Sequence, residues 1–257
     1  MRWGAALAVA GVLGAGVFGD GRAWGVEGCP AVPVPALVSA RLHDAVLANN
    51  EAVIVALGSS STLGTRSSDV AHSYPAVLQA ALTAGLPNTH IAVLNRGVGG
   101  EDVAEELPRL ERDVIGVRPA LVIWQLGANG AMKHAPLETF QRLLTTGVRR
   151  LHQAGIDVVL MDNQRAPLLL SNSEAPQIER VMAEVAKETG AVMFARGTLM
   201  DHWRDAGSPY AMFMSDDGVH HNDLGYRCLG SAIAEAILQG LKVHVQASAG
   251  TSVMAGH

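Results

Sequence analysis

Aromatic residues are scarce: Phe, Trp and Tyr together make up 4% of 257 residues. That excludes an extended stacking platform for bases or sugars, although a short groove with one or two rings remains open. Positive charge is in deficit as well. Lys and Arg number 19 against 24 Asp and Glu, a formal net charge of −5, so no basic face is on offer to a phosphate backbone. Nucleic acid is not an expected partner. Past residue 19 there is no long apolar segment of the kind that forms a lid over lipid chains. No internal repeat and no interdomain linker stand out, so one domain accounts for the chain.

What is present at the start reads as a leader. Arg2 supplies a positive end, Gly4 to Gly19 is an apolar run, and small residues then offer cleavage after Ala23 or Gly25. The run is shorter than the about 20 residues of a membrane span. The expectation is a secretory signal over 1–25, a periplasmic or secreted mature chain, and no stable insertion of that chain in a membrane. An uncleaved anchor is the alternative. A lipid anchor on Cys29 fits less well, because Asp20, Arg22 and Glu27 interrupt the approach to Gly28-Cys29. Cys29 and Cys228 are the only cysteines. In an oxidising compartment they can pair and tie the mature N-terminus to a late helix; two separate buried thiols are the other reading.

After a Pro-rich lead-in (Pro30, Pro33, Pro35), strand and helix patterns alternate. Short apolar runs at 52–57, 91–94, 121–126, 158–161 and 191–194 read as strands buried on both faces. Helical spacing marks 74–84, about 101–114, 137–154 and about 174–189, and a last apolar stripe runs through Leu224, Cys228, Leu229, Ile233, Ile237 and Leu241. This order predicts an α/β fold, a three-layer α/β/α sandwich around a five-stranded parallel sheet, over 26–244. The Ala-, Ser- and Gly-rich stretch 245–257 is expected to be a flexible tail.

Ligands of open parallel sheets collect at the carboxyl ends of the strands, so the loops there carry the chemistry. They read Gly58-Ser59-Ser60-Ser61-Thr62-Leu63-Gly64, then Asn95-Arg96-Gly97-Val98-Gly99-Gly100-Glu101-Asp102, then Gly127-Ala128-Asn129-Gly130. Before the last helix comes Asp216-Asp217-Gly218-Val219-His220-His221-Asn222. The second loop is no dinucleotide fingerprint, since the third glycine of GxGxxG falls on Asp102, and the first lacks the P-loop lysine. Each loop alone is an ordinary turn or helix cap. Together they contain the parts of an acyl-transfer site. A serine hydroxyl needs an adjacent base; His220 can be that base, and Asp217, three residues earlier, can fix its tautomer. Backbone N–H groups of Ser60 and Gly100 and the Asn129 amide can receive the anionic tetrahedral intermediate.

These four segments resemble, in order, the four sequence blocks of the SGNH (GDSL-like) hydrolases. The signature positions fall on Ser60, Gly100, Asn129 and His220, with Asp217 completing an Asp-x-x-His element. Asp-Gly-Val-His followed by Asn222 and Gly225-Tyr226 is the most specific match. The resemblance implies a flavodoxin-like sandwich, cofactor-free hydrolysis of esters or thioesters through an acyl-enzyme, and oxyanion donors on Ser60, Gly100 and Asn129. Its register selects Ser60 over Ser59 and Ser61 as nucleophile. Three positions depart from the pattern: Ser59 stands for the Asp of Gly-Asp-Ser, Gly130 for the Asp after the third-block Asn, and His221 for the Pro after the histidine.

His220, His221, Asp216 and Asp217 lie close enough in sequence to suggest a metal site, but no further His-rich element completes a ligand set; no metal and no cofactor are expected. Lys133, His134 and His221 are candidate substrate contacts at the mouth, with exposed loop residues the plainer reading of the first two. Trp124, within a strand run, reads as core. The expected activity is hydrolysis of short acyl esters, acetyl foremost, on a small ester or acylated carbohydrate outside the cytoplasm. A thioesterase, lysophospholipase or arylesterase on the same scaffold is the second reading. A glycan-binding or assembly protein that keeps the fold without catalysis is the third.

Overall fold

The computed structural model describes residues 26–254, with side chains through Val243. The expected leader over 1–25 lies outside the described residues. So do the side chains of the expected tail, along most of which the last helix continues.

Five strands form one sheet: β1 (Glu51–Gly58), β2 (His90–Gly97), β3 (Leu121–Gln125), β4 (Asp157–Met161) and β5 (Val192–Phe194). Their order is β2-β1-β3-β4-β5, and each neighbouring pair is parallel. These are the five strands expected from the apolar runs. All of β3 is buried, and β4 is buried after Asp157, which is why both read as continuous apolar stretches.

The helices are α1 (Ala40–Asn49), α2 (Ser60–Leu63), α3 (Tyr74–Gly85), α4 (Val103–Glu106), α5 (Leu110–Asp113), α6 (Ala128–Met132), α7 (Leu137–Gln153), α8 (Pro167–Leu170), α9 (Ala175–Thr189), α10 (Arg196–Asp205) and α11 (Asp223–Met254). Helices α1 and α3 pack with α11 on one face of the sheet, and α4 and α9 pack with α7 on the other. The result is the three-layer sandwich. The single helix expected over about 101–114 is broken into α4, a 3-10 turn at Leu107–Arg109 and α5. Pro108 accounts for the break, since it has no N–H to bond backward and its ring crowds the preceding turn.

Chain direction across the sheet reverses between β1 and β3, so the loops after them diverge and leave a crevice at their carboxyl ends. Close packing sharpens that edge. A Cβ on Gly97, at the end of β2, would lie 2.1 Å from the Leu63 nitrogen, so only glycine lets α2 rest on the strand end. Asn95 supports the same contact, donating from Nδ2 to the Thr62 carbonyl at 2.8 Å. On the α11 side, Cys29 and Cys228 are joined in a disulfide across 199 residues of sequence.

Candidate active site

The turn from β1 into α2 places three serines in a row, and their surroundings separate them. Ser59 and Ser61 are buried, at 3% and 2% exposure. Ser59 is held from below by Gln125 of β3, whose Oε1 accepts from the Ser59 N–H and hydroxyl, both at 3.1 Å, and from Thr62 Oγ1 at 3.2 Å. Ser60 is the partly exposed one, and its Oγ lies 2.7 Å from His220 Nε2.

His220 sits in a tight turn closed by the bridge between Met214 and His221. Its Nδ1 lies 2.7 Å from Asp217 Oδ2. A carboxylate only accepts, so Nδ1 carries the proton and Nε2 is left to accept from the Ser60 hydroxyl. Asp217 Oδ1 accepts from Ser215 Oγ at 2.7 Å and from the Val219 and His220 N–H groups at 2.9 Å each. Burial alone pushes this carboxyl up. The donors from His220, Ser215 and Val219 outweigh it and hold the group well below the usual carboxylate range. Two side chains from elsewhere complete the surroundings. Arg66 Nε donates to Asp217 Oδ2 at 3.0 Å, and Gln164, buried after β4, donates from Nε2 to the Val219 carbonyl at 2.7 Å.

Across the crevice, Gly100 takes φ +80°, and a Cβ there would meet nothing within 4 Å. Its backbone therefore borders open space in a conformation that favours glycine. Asn129, in α6, donates from Nδ2 to the Glu101 carbonyl at 2.7 Å, a bond that uses one of its two amide protons. The loop is braced by Arg109, which is 8% exposed. Its Nε donates to Glu101 Oε2 at 2.6 Å, its Nη1 to the Arg96 carbonyl at 2.9 Å, and its Nη2 to the Gly58 carbonyl at 3.2 Å. One guanidinium thus binds the ends of β1 and β2 to the Gly100 loop.

The remaining expected site residues divide. Lys133 and His134 lie just past α6 and pair with carboxylates at the surface, Lys133 with Glu105 at 3.0 Å and His134 with Glu174 at 2.8 Å. His221 requires a correction. It is fully buried, with Nδ1 3.0 Å from the Phe213 carbonyl and its ring edge-on to Tyr226 at 5.5 Å, so it faces the core and not a substrate. Burial lowers its pKa to about 3. A Cβ on Gly130 would come within 3.2 Å of the Phe140 ring, so a side chain at the position where the SGNH pattern has a carboxylate would meet an apolar ring here. Among the described residues, no three His, Cys, Asp or Glu gather as a metal-sized group.

Sequence reading did not single out Gln125, Gln164, Arg66 or Arg109. Only Gln125 leaves a signal, as an amide inside an otherwise apolar strand. Three buried ionisable groups were also missed. Glu106 is held by Trp124 Nε1 at 2.5 Å, and burial raises it to about 8. Arg196, fully buried, donates from Nε to the Asp162 carbonyl at 2.8 Å, and burial raises the Asp162 carboxyl to about 6.

An α/β/α sandwich with a serine, a histidine and an aspartate in bonded sequence at its switch point defines a class, the serine ester hydrolases of the SGNH type. The chain belongs to the Non-GDSL lipase-like family, whose sequence profile matches residues 34–243. Solved structures with the same fold include the acetylxylan esterase Axe2 of Geobacillus stearothermophilus, 20% identical with a TM-score of 0.62 over 72% of this chain and 93% of that one. A lipase/acylhydrolase from Enterococcus faecalis is 24% identical, with a TM-score of 0.59 over 73% of this chain and 95% of that one. LAE5, an α/β hydrolase from the metagenome of Lake Arreo, is 21% identical, with a TM-score of 0.62 over 74% of this chain and 96% of that one. A search of curated proteins gives no match.

Proposed function

We propose that this protein is an exported esterase that removes short acyl groups, acetyl foremost, from an acylated carbohydrate by way of a Ser60 acyl-enzyme. The observation that carries the reading is the relay Ser60 Oγ to His220 Nε2 and His220 Nδ1 to Asp217 Oδ2, both at 2.7 Å. Ser60 Oγ attacks the ester carbonyl carbon while His220 Nε2 takes its proton. The carbonyl π electrons move onto oxygen, and the resulting oxyanion is received by the N–H groups of Ser60 and Gly100 and the second amide proton of Asn129. As the intermediate collapses, the bond to the alcohol breaks and His220 protonates the departing oxygen. A water, deprotonated by His220, then releases the acid and restores Ser60.

The acetyl and carbohydrate part is supported by fold neighbours described as acetylxylan esterases. Export is supported by the leader-like pattern of the first 25 residues and by the Cys29–Cys228 disulfide, a bond of oxidising compartments. A second reading, longer apolar acyl chains, is favoured by side chains beside the crevice. Val98, two residues before Gly100, is 41% exposed, and Leu168, whose N–H bonds the Gly218 carbonyl, is 51% exposed.

The test is turnover of p-nitrophenyl acetate by the wild type and by Ser60→Ala, followed by acyl chains up to octanoyl. The expected result is a loss of at least about 10³-fold in the variant, with acetate preferred. Equal activity in both proteins removes Ser60 from the nucleophile role. A folded but inactive wild type overturns the esterase reading, and an octanoyl preference moves the substrate to the second one.

A further inference from the structure

We infer that Arg66 is a fourth member of the relay, a positioning residue that weakens the aspartate's hold on the histidine proton and so extends esterase activity toward acid pH. The inference rests on the esterase reading above. Its geometry is specific. Asp217 Oδ2 receives two donors, His220 Nδ1 at 2.7 Å and Arg66 Nε at 3.0 Å. The guanidinium therefore shares the one oxygen on which the imidazole depends. Arg66 also comes within 3.9 Å of the Asp216 carboxylate.

The backbone is built to present this side chain. Arg66 takes φ +71°, a left-handed conformation that is costly for a residue with a Cβ. The loop on either side of it is fastened. Tyr226 Oη donates to the Thr65 carbonyl at 2.7 Å, Ser67 Oγ to the Gly64 carbonyl at 2.6 Å, and the Ser68 N–H to Asp223 Oδ1 at 2.8 Å. Tyr226 and Asp223 both belong to α11, the helix that follows the histidine turn. The segment after the nucleophile is thus anchored to the segment after the base, with Arg66 turned back onto Asp217 between them.

The electrostatic consequence has a definite sign. Proton transfer from Ser60 makes His220 cationic, and Asp217 stabilises that cation. A second cation on the same carboxylate oxygen offsets part of that stabilisation. The charged and titratable groups about the relay are Asp217 on His220 Nδ1, Ser60 on its Nε2, Arg66 on Asp217 with Asp216 beside the guanidinium, and the neighbouring His221, which in turn faces Tyr226 of α11 and the buried Arg196. Of these, Arg66 is the cation in contact with the relay carboxylate. Being 52% exposed, it acts through partly screened charge.

The experiment compares the pH dependence of kcat/KM for p-nitrophenyl acetate in the wild type, Arg66→Met and Arg66→Gln. Both variants are expected to keep KM within about twofold and to move the midpoint of the acid limb up by about half a pH unit, a size set by a screened charge one side chain away. Arg66→Lys, which keeps the charge, is expected to return most of the way. A uniform fall in kcat with the acid limb unmoved assigns Arg66 a structural role and overturns the proposal. A shift in the Met variant that is absent in the Gln variant traces to the lost hydrogen bond and overturns the electrostatic account. If the wild type is inactive at every pH, the esterase reading falls and the proposal with it; an active wild type with coincident profiles removes Arg66 alone.

Discussion

Asp217, in the turn before α11, is 18% exposed and receives hydrogen bonds from Ser215, Val219, Arg66 and twice from His220. Glu106, at the end of α4, is fully buried and receives one, from Trp124. Both are carboxylates largely withdrawn from solvent, one in a turn and the other at a helix end, yet one is held ionised well below its usual range and the other is raised to about 8. Desolvation acts against the anion in each case. Glu106 is buried more completely, so desolvation dominates there, whereas at Asp217 the N–H and O–H groups aimed at the oxygens outweigh it. A turn of consecutive residues can aim several donors at one side chain, because its backbone N–H groups point inward together. A helix end against a sheet has fewer to aim.

The contrast is most severely tested by Asp217→Asn. Replacing the acceptor with an amide misorients the imidazole tautomer, and kcat is expected to fall by about 10³- to 10⁴-fold with the circular dichroism spectrum unchanged. Retention of a tenth of the wild-type rate would show that the five donors serve the turn and not the base. The next effect is on stability. Because the Glu106 carboxyl is raised from 4.5 to about 8, the folded chain holds a proton between those values that the unfolded chain lacks. Its contribution is present in full below pH 4.5 and is lost as pH rises to about 8. The slope approaches ~1.4 kcal/mol per pH unit. Glu106→Gln is expected to flatten the curve of Tm against pH over this interval, and superimposable curves for the two proteins would dissolve the comparison. The smallest effect is Ser215→Ala, which removes one donor from Asp217 Oδ1 while the two backbone donors stay. A loss near 1 kcal/mol, read as a fall of about fivefold in kcat at pH 7, is expected.

Where the periodicity is strong, sequence and structure agree. The five strands were legible because a sheet covered on both faces demands uninterrupted apolar runs, and α7, α9 and α11 because their apolar stripes are long. Helix α1 was not, since its buried face is formed by Leu42, His43 and Val46, too few and too mixed to mark a stripe. Ser60, Asp217 and His220, which the structure brings into hydrogen-bond contact, were legible through the register of the SGNH resemblance, at the end of a strand and in the turn before the last helix. Arg66 and Arg109 were hidden for the opposite reason. A surface-type residue in a polar stretch looks the same whether it meets solvent or folds back onto a carboxylate. His221 misled through adjacency: in an extended turn neighbouring side chains point opposite ways, so the residue beside the base faces the core.

The bond between Cys29 and Cys228 turns most of the described chain into a covalent ring. Ser60, Gly100, Asn129, Asp217 and His220 all lie on its circumference. A protease that cuts any mouth loop opens the ring without freeing either piece, because the two arms remain joined through sulfur. The serine arm and the histidine arm would then re-form the relay as parts of one molecule, at a high effective concentration. The bridge thus converts a loop cleavage from an ending into a nick.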